Sequence, residues 1–545
     1  MRQRTAGELV AEALEAEAVD TVFGLIGSHT YGIYEALRHF SGIRHVTVYH
    51  ESTATLAADA WSKLSGKTAV CILTAGPGAL NSISGVGQSH FSATPMVHIS
   101  GAPPSNAMAE ELHGADNEYY CAQMFAEVSK LSLRPRTLEE LGQALSLAFR
   151  TARSGRYGPV HLEVPLDLMD AAPAPAPEYS PLAAEVVNCP VNVTEKIARD
   201  IAAAQRPLFC FDKGVVRTGV SHRLVSLAER CGAAMVVSRD AIGAVPDDHP
   251  LYAGVAHDFN FGDAGFDTVA SADLVVCFGY RRNTENLFFI SSRLNGSLFN
   301  FSFEDEPGAF EGGYSASLER VCDGLEKTVV TKPHNDTQRW PEVRLSDQRK
   351  RIVASLDAHS QQTPLHFGWA LKQLLPSMDE DTTVVLDAGT HEVWGRTIMP
   401  VYNPGSQIGS ANWATMGYAL PAMIGARLAA KEKPVIGITG DGCLLMAMSD
   451  LATWLDAGGP STLVVLNDSE YGMIAQSQEA RFGGTYAIET RPVNFAELAN
   501  SLGGKGYRVE TAKQLELAIE AAFPATRPTL IDITSQPRMD YPVWT

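Results

Sequence analysis

No apolar run in the 545 residues reaches the roughly 18–20 that a membrane-spanning helix needs. Basic residues are also scarce: 43 Lys plus Arg stand against 62 Asp plus Glu, a net charge of −19. Nucleic acid and anionic membrane surfaces both require a basic face, so neither is expected as a partner. Small anionic substrates need only a local positive site and stay open. The eight cysteines (71, 121, 189, 210, 231, 277, 322 and 443) contain no Cys-x-x-Cys pair, which argues against a zinc site. Most sit in apolar runs such as Phe209–Phe211 and Val275–Phe278, as buried thiols of a reducing cytoplasm do. The opening MRQRTAGELVAEALEAEAVD reads as an acidic amphipathic helix and not as a signal peptide. With 45% hydrophobic and 19% charged residues, the chain is too apolar for a disordered protein.

What is present is a long α/β pattern. At about 150 residues per domain the length suggests three or four domains. Two stretches read as linkers: the Pro/Ala-rich DAAPAPAPEYSP (Asp170 to Pro181) and the polar TKPHNDTQRWPEV (Thr331 to Val343). They divide the chain into 1–170, 182–330 and 345–545. Each part alternates short β-rich runs with helical patterns, for example at Thr68–Leu73, Leu208–Phe211, Leu274–Gly279, Val384–Asp387 and Val435–Thr439. This predicts three doubly wound parallel sheets with helices on both faces. The first and third parts also repeat each other. In one, an Ala-rich helix (Thr53 to Leu64) leads to strand KTAVCIL and turn TAGPGALNS. In the other, a helix (Leu420 to Ala430) leads to KPVIGI and TGDGCLLMA, and the turn threonines Thr74 and Thr439 lie 365 residues apart. A shared fold is expected.

The sharpest motif is Gly440-Asp441-Gly442, between a strand and a helix and followed by Cys443. Glycines there let backbone N–H groups approach a phosphate at a helix N-terminus. A carboxylate at the same turn is an oxygen ligand for a hard cation such as Mg²⁺. After Gly442 come 24 residues, then Asn467-Asp468 at the end of the next strand. Carboxyl ends of neighbouring parallel strands converge on one crevice, so Asp441 and Asp468 can meet although 27 positions separate them.

This spacing resembles the signature of thiamine diphosphate (ThDP) enzymes. The wider pattern is similar to the acetolactate synthase, benzoylformate decarboxylase and benzaldehyde lyase group, through FGLIGS (Phe23–Ser28), HES (His50–Ser52), TAGPGALN (Thr74–Asn81), DAGTHEVW (Asp387–Trp394) and ATMGYALPAMIGARLA (Ala414–Ala429). The resemblance implies pyrimidine-binding, middle and diphosphate-binding domains in that order. It implies that Asp441, Asp468 and the backbone carbonyl of Glu470 hold Mg²⁺, Asp468 replacing the commoner Asn. It places Gly389, Thr390 and His391, with Gly440 to Cys443, at the diphosphate, and Met416 as the apolar wedge under the bent cofactor. Glu51, ahead of an Ala-rich helix, matches the carboxylic acid that activates the aminopyrimidine.

Pocket residues point to the reaction. Ser28 matches the serine of benzoylformate decarboxylase-like enzymes, and His29 a pocket histidine of benzaldehyde lyase-like ones. His113 falls where acetolactate synthase-like enzymes carry Gln, and a histidine there can act as acid or base near neutral pH. Position 74 is Thr, so the histidine of benzoylformate decarboxylase-like enzymes is missing. Position 28 is Ser and 474 is Ile, so the acids of pyruvate decarboxylase-like enzymes are missing too, and a simple pyruvate decarboxylase is disfavoured. The middle part shows Gly-ended strands but no clear flavin fingerprint, which leaves FAD or ADP open there. Acyl-CoA-using relatives carry a longer closing tail than the stretch after TLIDIT, which disfavours CoA thioesters. The expectation is a ThDP- and Mg²⁺-dependent lyase or transferase acting on 2-oxo acids or 2-hydroxy ketones, with acetolactate synthase-like carboligation foremost. The alternatives are a non-ligating 2-oxo acid decarboxylase, a benzaldehyde lyase- or 2-hydroxyacyl-CoA lyase-like enzyme, and a silent binding subunit. Since the pyrimidine and diphosphate motifs lie on different domains, a homodimer or homotetramer is expected, with the cofactor between subunits.

Overall fold

The computed structural model describes residues 2–105, 113, 117–256, 264–281, 285–302, 312–331, 340 and 345–536. Three six-stranded sheets follow one another along the chain, every pairing within them parallel. A short strand β1 (Gln3–Arg4) precedes the first sheet. That sheet comprises β2 (Thr21–Leu25), β3 (Arg44–Thr47), β4 (Ala69–Leu73), β5 (Met96–Ala102), β6 (Leu131–Leu133) and β7 (Pro159–Pro165). Its order is β3-β2-β4-β5-β7-β6. The first linker is partly tied down: β8 (Ala174–Pro175) pairs antiparallel with β1. Proline is tolerated there because an edge pairing needs few donors. The second linker lies outside the described residues, apart from positions 331 and 340.

The middle sheet has β9 (Pro207–Phe211), β10 (Ala234–Val237), β11 (Tyr252–Val255), β12 (Leu274–Phe278), β13 (Ser297–Ser302) and β14 (Gly313–Ser315), in the order β11-β10-β9-β12-β13-β14. Numbered within the sheet this is 3-2-1-4-5-6, the dinucleotide-fold order. The third sheet has β15 (Thr383–Leu386), β16 (Gln407–Gly409), β17 (Val435–Gly440), β18 (Ser461–Asn467), β19 (Lys505–Val509) and β20 (Thr529–Thr534), ordered β16-β15-β17-β18-β20-β19. Numbered in the same way, the first and third sheets both read 2-1-3-4-6-5. The internal repeat in the sequence is a repeat of topology. Central strands are buried along their whole length, as expected where helices cover both faces. Among the described residues no helix is long and apolar enough to cross a membrane. None of the eight cysteines is bridged; seven are buried and Cys189 is partly exposed.

The largest apolar core belongs to no single sheet. It runs through the helix Glu51–Ser65 of the first domain and the helix Ala419–Ala430 of the third. Both present small residues at the crossing: Ala54, Ala57 and Ala58 against Ala422, Gly425 and Ala426. A Cβ on Gly425 would lie 1.9 Å from the Ala57 carbonyl oxygen and 2.9 Å from the Trp61 nitrogen. The helices therefore touch backbone to backbone. One buried ion pair, Lys63 to Asp59 at 2.6 Å, lies beside this contact. Tyr418 Oη donates to Asp59 across the interface at 2.8 Å.

Two effects compete at Gly425. Alanine in a helix interior is worth about 0.5–1 kcal/mol over glycine. Forcing a methyl against a fixed backbone costs typically about 1–3 kcal/mol or more. The clash wins, so Gly425→Ala should lower the melting temperature. A thermal melt showing Gly425→Ala equal to or above wild type would contradict the close crossing.

Candidate active site

The third sheet opens at its carboxyl edge into a cavity of about 360 Å³. Its floor comes from the ends of four strands: Ala388 and Gly389 after β15, Gly440–Cys443 after β17, Leu466 and Asp468 after β18, and Ser535 after β20. The order of the sheet reverses between β15 and β17, and ligand crevices form at such reversals. The two glycine turns flank that point. Gly389 has φ +154°, and a Cβ there would sit 2.6 Å from the His391 ring. One on Gly440 would lie 3.2 Å from the same ring. His391 thus packs flat between two glycines. It is buried, and burial holds its imidazole down to about 4, so the ring is neutral at pH 7. Its Nε2 is buried with no hydrogen-bond partner. An unpaired polar atom in a cavity wall is a place for a polar ligand group.

Beside this turn, Asp441 starts the helix Asp441–Ala447 and is buried. Thr490 Oγ1 donates to its carboxylate at 2.8 Å. Burial pushes the Asp441 carboxyl up. Burial, and then the Asp441 charge, pushes Asp468 up to about 7. No lysine, arginine or histidine among the described residues pairs with either carboxylate. Two carboxylates facing one cavity without a cation form an oxygen donor set that fits a hard divalent ion. The loop after Asp468 turns through Ser469 at φ +61°. A short stretch opposite pins it: Thr490 N donates to the Ser469 carbonyl at 2.9 Å, and Tyr471 N to that of Ile488 at 2.7 Å. Met416, Glu470, Tyr471 and Ile474 complete the wall, and Arg239 reaches in from the middle domain.

Asp387, His391 and Cys443 converge closely enough to suggest a metal centre. Hydrogen bonding argues for a different role. The Asp387 carboxylate accepts from the N–H groups of Ala388, Gly417, Tyr418 and Ala419 and from Thr439 Oγ1. Cys443 Sγ donates to the Ala388 carbonyl, and burial pushes its thiol up. Asp387 is an anchor that fixes the cavity floor to the Met416 loop.

A second group lies in the first domain, and none of its members lines the cavity. Glu51 is the first residue of the helix Glu51–Ser65, where a carboxylate suits the helix dipole. Asn81 Nδ2 donates to Glu51 Oε2 at 3.0 Å. Thr74 packs against Gly27 and Gly78. Ser28 Oγ lies 3.0 Å from His29 Nδ1, and the His29 and His113 rings meet edge to face with centroids 5.0 Å apart. His29 is buried; burial, and then the neighbouring His113, lowers its basicity. The backbone at His113 has φ +62°, and a Cβ on Gly76 would lie 2.9 Å from His113 Cβ. The structure therefore gathers Gly389, Thr390, His391, Met416, Gly440 to Cys443, Asp468 and Glu470 in one place. It gathers Ser28, His29, Glu51 and His113 in another.

In the sequence, Asn81 and Asp387 stand out only as parts of TAGPGALN and DAGTHEVW. Thr490 and Arg239 carried no sequence signal, because each reaches its partner across a long loop or another domain.

Family models match the chain in three stretches. A model of the N-terminal TPP (thiamine pyrophosphate) binding domain matches residues 4–123, the central domain of the same enzymes 194–293, and the C-terminal TPP binding domain 387–533. The chain belongs to the thiamine pyrophosphate enzymes and is a ThDP-dependent enzyme with all three domains. It is similar to proteins named acetolactate synthase large subunit. One from Parasynechococcus marenigrum is 29% identical, over 96% of this chain and 86% of that protein. The isozyme 2 large subunit of Escherichia coli is 28% identical, over 96% and 94%. A protein of Methanocaldococcus jannaschii named as a probable large subunit is 28% identical, over 98% and 93%.

The anchoring role of Asp387 is testable. Hydrogen bonds to a charged group are worth about 1.5–3 kcal/mol each, and orphaned buried N–H groups cost more. Asp387→Ala should therefore lose at least about 3 kcal/mol of unfolding free energy in urea. Asp387→Asn, which keeps one accepting oxygen, should lose less. An Asp387→Ala protein as stable as wild type would remove the anchor.

Proposed function

We propose that this enzyme joins carbon fragments as acetolactate synthases do. A 2-oxo acid donor would lose CO₂, and the remaining fragment would add to an acceptor carbonyl. The observation that carries this reading is likeness to acetolactate synthase large subunits along nearly the whole chain, joined to a cavity whose donors suit a diphosphate and a divalent cation. When bound, ThDP supplies a nucleophilic carbon and an electron sink for bonds next to a carbonyl. Asp441, Asp468 and the Glu470 carbonyl would hold Mg²⁺. The N–H groups after Gly440 would hold the diphosphate, joined by His391 Nε2 in the tautomer that carries the ring proton there.

Glu51 keeps one oxygen engaged by Asn81 and offers the other to the pyrimidine, where it would hold and share a proton. His29 and His113, as neutral rings, would take a proton from a substrate hydroxyl or return it, an effect typically worth about 10²–10⁴-fold. Ser28 would orient His29. In the reverse direction the same pair would serve cleavage of a 2-hydroxy ketone. The two groups of residues do not share one cavity in one chain, so a second copy would close the site. Exposed apolar side chains flank both halves: Ile26, Tyr31 and Tyr49 on one, Ile474, Phe482 and Tyr486 on the other. A homodimer or homotetramer would cover them.

The deciding experiment is incubation with ThDP, Mg²⁺ and a panel of 2-oxo acids, with and without aldehyde or 2-oxo acid acceptors. Products carrying both donor and acceptor carbons are expected by mass. Aldehyde alone would replace ligation by simple decarboxylation, and no turnover of any donor would leave a binding subunit.

Glu51→Gln should abolish turnover and leave ThDP affinity, read by fluorescence quenching, nearly unchanged. Full activity in that variant would remove Glu51 from the mechanism.

At the metal, Asp441→Ala should abolish tight Mg²⁺-dependent ThDP binding. Asp468→Asn should be mild, because an amide oxygen still ligates and one of two repelling charges is gone. Equal loss of cofactor affinity in both would contradict a tolerant second ligand.

A further inference from the structure

A second, smaller cavity of about 20 Å³ lies where the three domains meet. The space admits a small ion or a few waters. Its walls come from Lys63 of the first domain, Arg217 and Arg239 of the middle domain, and Arg396 and Gln407 of the third. This is not the cofactor-sized cavity, although Arg239 borders both.

The hydrogen bonding around it is one-sided. Lys63 is satisfied by Asp59, by the Gly409 carbonyl and by Tyr418. Arg396 donates from Nε to Glu392 and from Nη1 to the Arg239 carbonyl and to Gln407 Oε1. That last bond turns the Gln407 amide nitrogen away from Arg396. Gln407 is more than nine-tenths buried, and its Nε2 has no partner. Arg217 donates from Nε to the Ser92 carbonyl at 3.3 Å. No acceptor among the described residues meets its terminal amino groups. Arg239 Nε is buried without a hydrogen bond, the Asp240 carboxylate standing 3.9 Å from it. The side-chain groups left without partners are donors. The charges agree: Lys63, Lys213, Arg217, Arg239 and Arg396 face Asp59, Asp212, Asp240 and Glu392. That leaves one positive charge in excess in a buried place, where an uncompensated charge is costly.

We propose that this three-domain junction binds a single monatomic anion of chloride's size, held between the Arg217 guanidinium and the Gln407 amide. One negative charge balances the excess, and the space admits one small ion. Occupancy ties Arg217 of the middle domain to Gln407 of the third and offsets the charge of Lys63 in the same wall, and therefore stabilises the packing of the three domains. Lys63 lies on the helix that Glu51 starts, and Arg396 on the helix Thr390–Ile398 that carries His391.

The test uses the full-length enzyme at constant ionic strength, with gluconate exchanged for chloride or bromide. A ligand of the native state raises the melting temperature in a saturable way. Such a rise is expected with chloride and bromide and not with gluconate, sulfate or phosphate. Bromide-soaked crystals should show anomalous density between Arg217 and Gln407. Gln407→Glu puts a negative charge beside the ion's position, removes the donor that would hold the ion, and keeps the oxygen that Arg396 needs. It should melt in gluconate near the halide-saturated wild type and should not respond to halide. If Gln407→Glu fails to fold, Arg217→Met must lose the halide response instead. No saturable halide rise in wild type would overturn the proposal, as would an unaltered response in either folded variant. A Gln407-dependent rise with phosphate or an adenine nucleotide, and none with halide, would also overturn it and assign the cavity to a phosphate group.

Discussion

The Asp387 carboxylate is the interaction on which most of the site depends. It ends β15, takes the first N–H groups of the helix Ala419–Ala430 and binds Thr439 on the neighbouring strand. Three chain segments far apart in sequence are held at one point. The helix placed in this way carries the small face that meets the first domain. Tyr418, the residue before that helix, carries the linkage on to Asp59 and Lys63. Buried charge is costly unless fully hydrogen-bonded, and here each oxygen has its donors.

Parallel sheets buried on both faces leave a strong record in sequence, because each strand becomes a short continuous apolar run. The runs at Thr68–Leu73 and Val435–Thr439 are β4 and β17 to within a residue. The repeat between first and third parts shows as one strand order used twice. The third-domain cavity was legible for the same reason. Gly440-Asp441-Gly442 and Asn467-Asp468 end adjacent strands, so spacing alone brings them together. What sequence did not disclose depends on contacts between distant segments. Thr490 holds Asp441 from a loop 49 positions away. The Asn81 amide meets Glu51 only because a turn after β4 folds back on a helix. The Pro/Ala stretch reads as a linker, and nothing in its composition discloses that Gln3 and Arg4 give Ala174 and Pro175 an edge to pair with.

The middle domain has the dinucleotide-fold strand order, but the ends of β9 and β10 carry charge instead of a glycine-rich turn. Asp212, Lys213, Arg239 and Asp240 occupy those ends and bond to one another, with Ser238 donating to Asp212 and Lys213 to Asp240. Nucleotide-fold topology permits a ligand without requiring one. The electrostatic work of this edge is directed inward, toward the other two domains.

The backbone contact at Gly425 has a mechanical consequence. Helices separated by long side chains can slide, because rotamers absorb the shift. Helices that meet carbonyl to glycine have nothing between them to yield. The first and third domains of one chain therefore move as a single rigid spine, and the Glu51 helix cannot rotate relative to the cavity floor of its own chain. Any breathing that admits substrate must come from the loops, from the middle domain or from another copy sliding over the exposed faces.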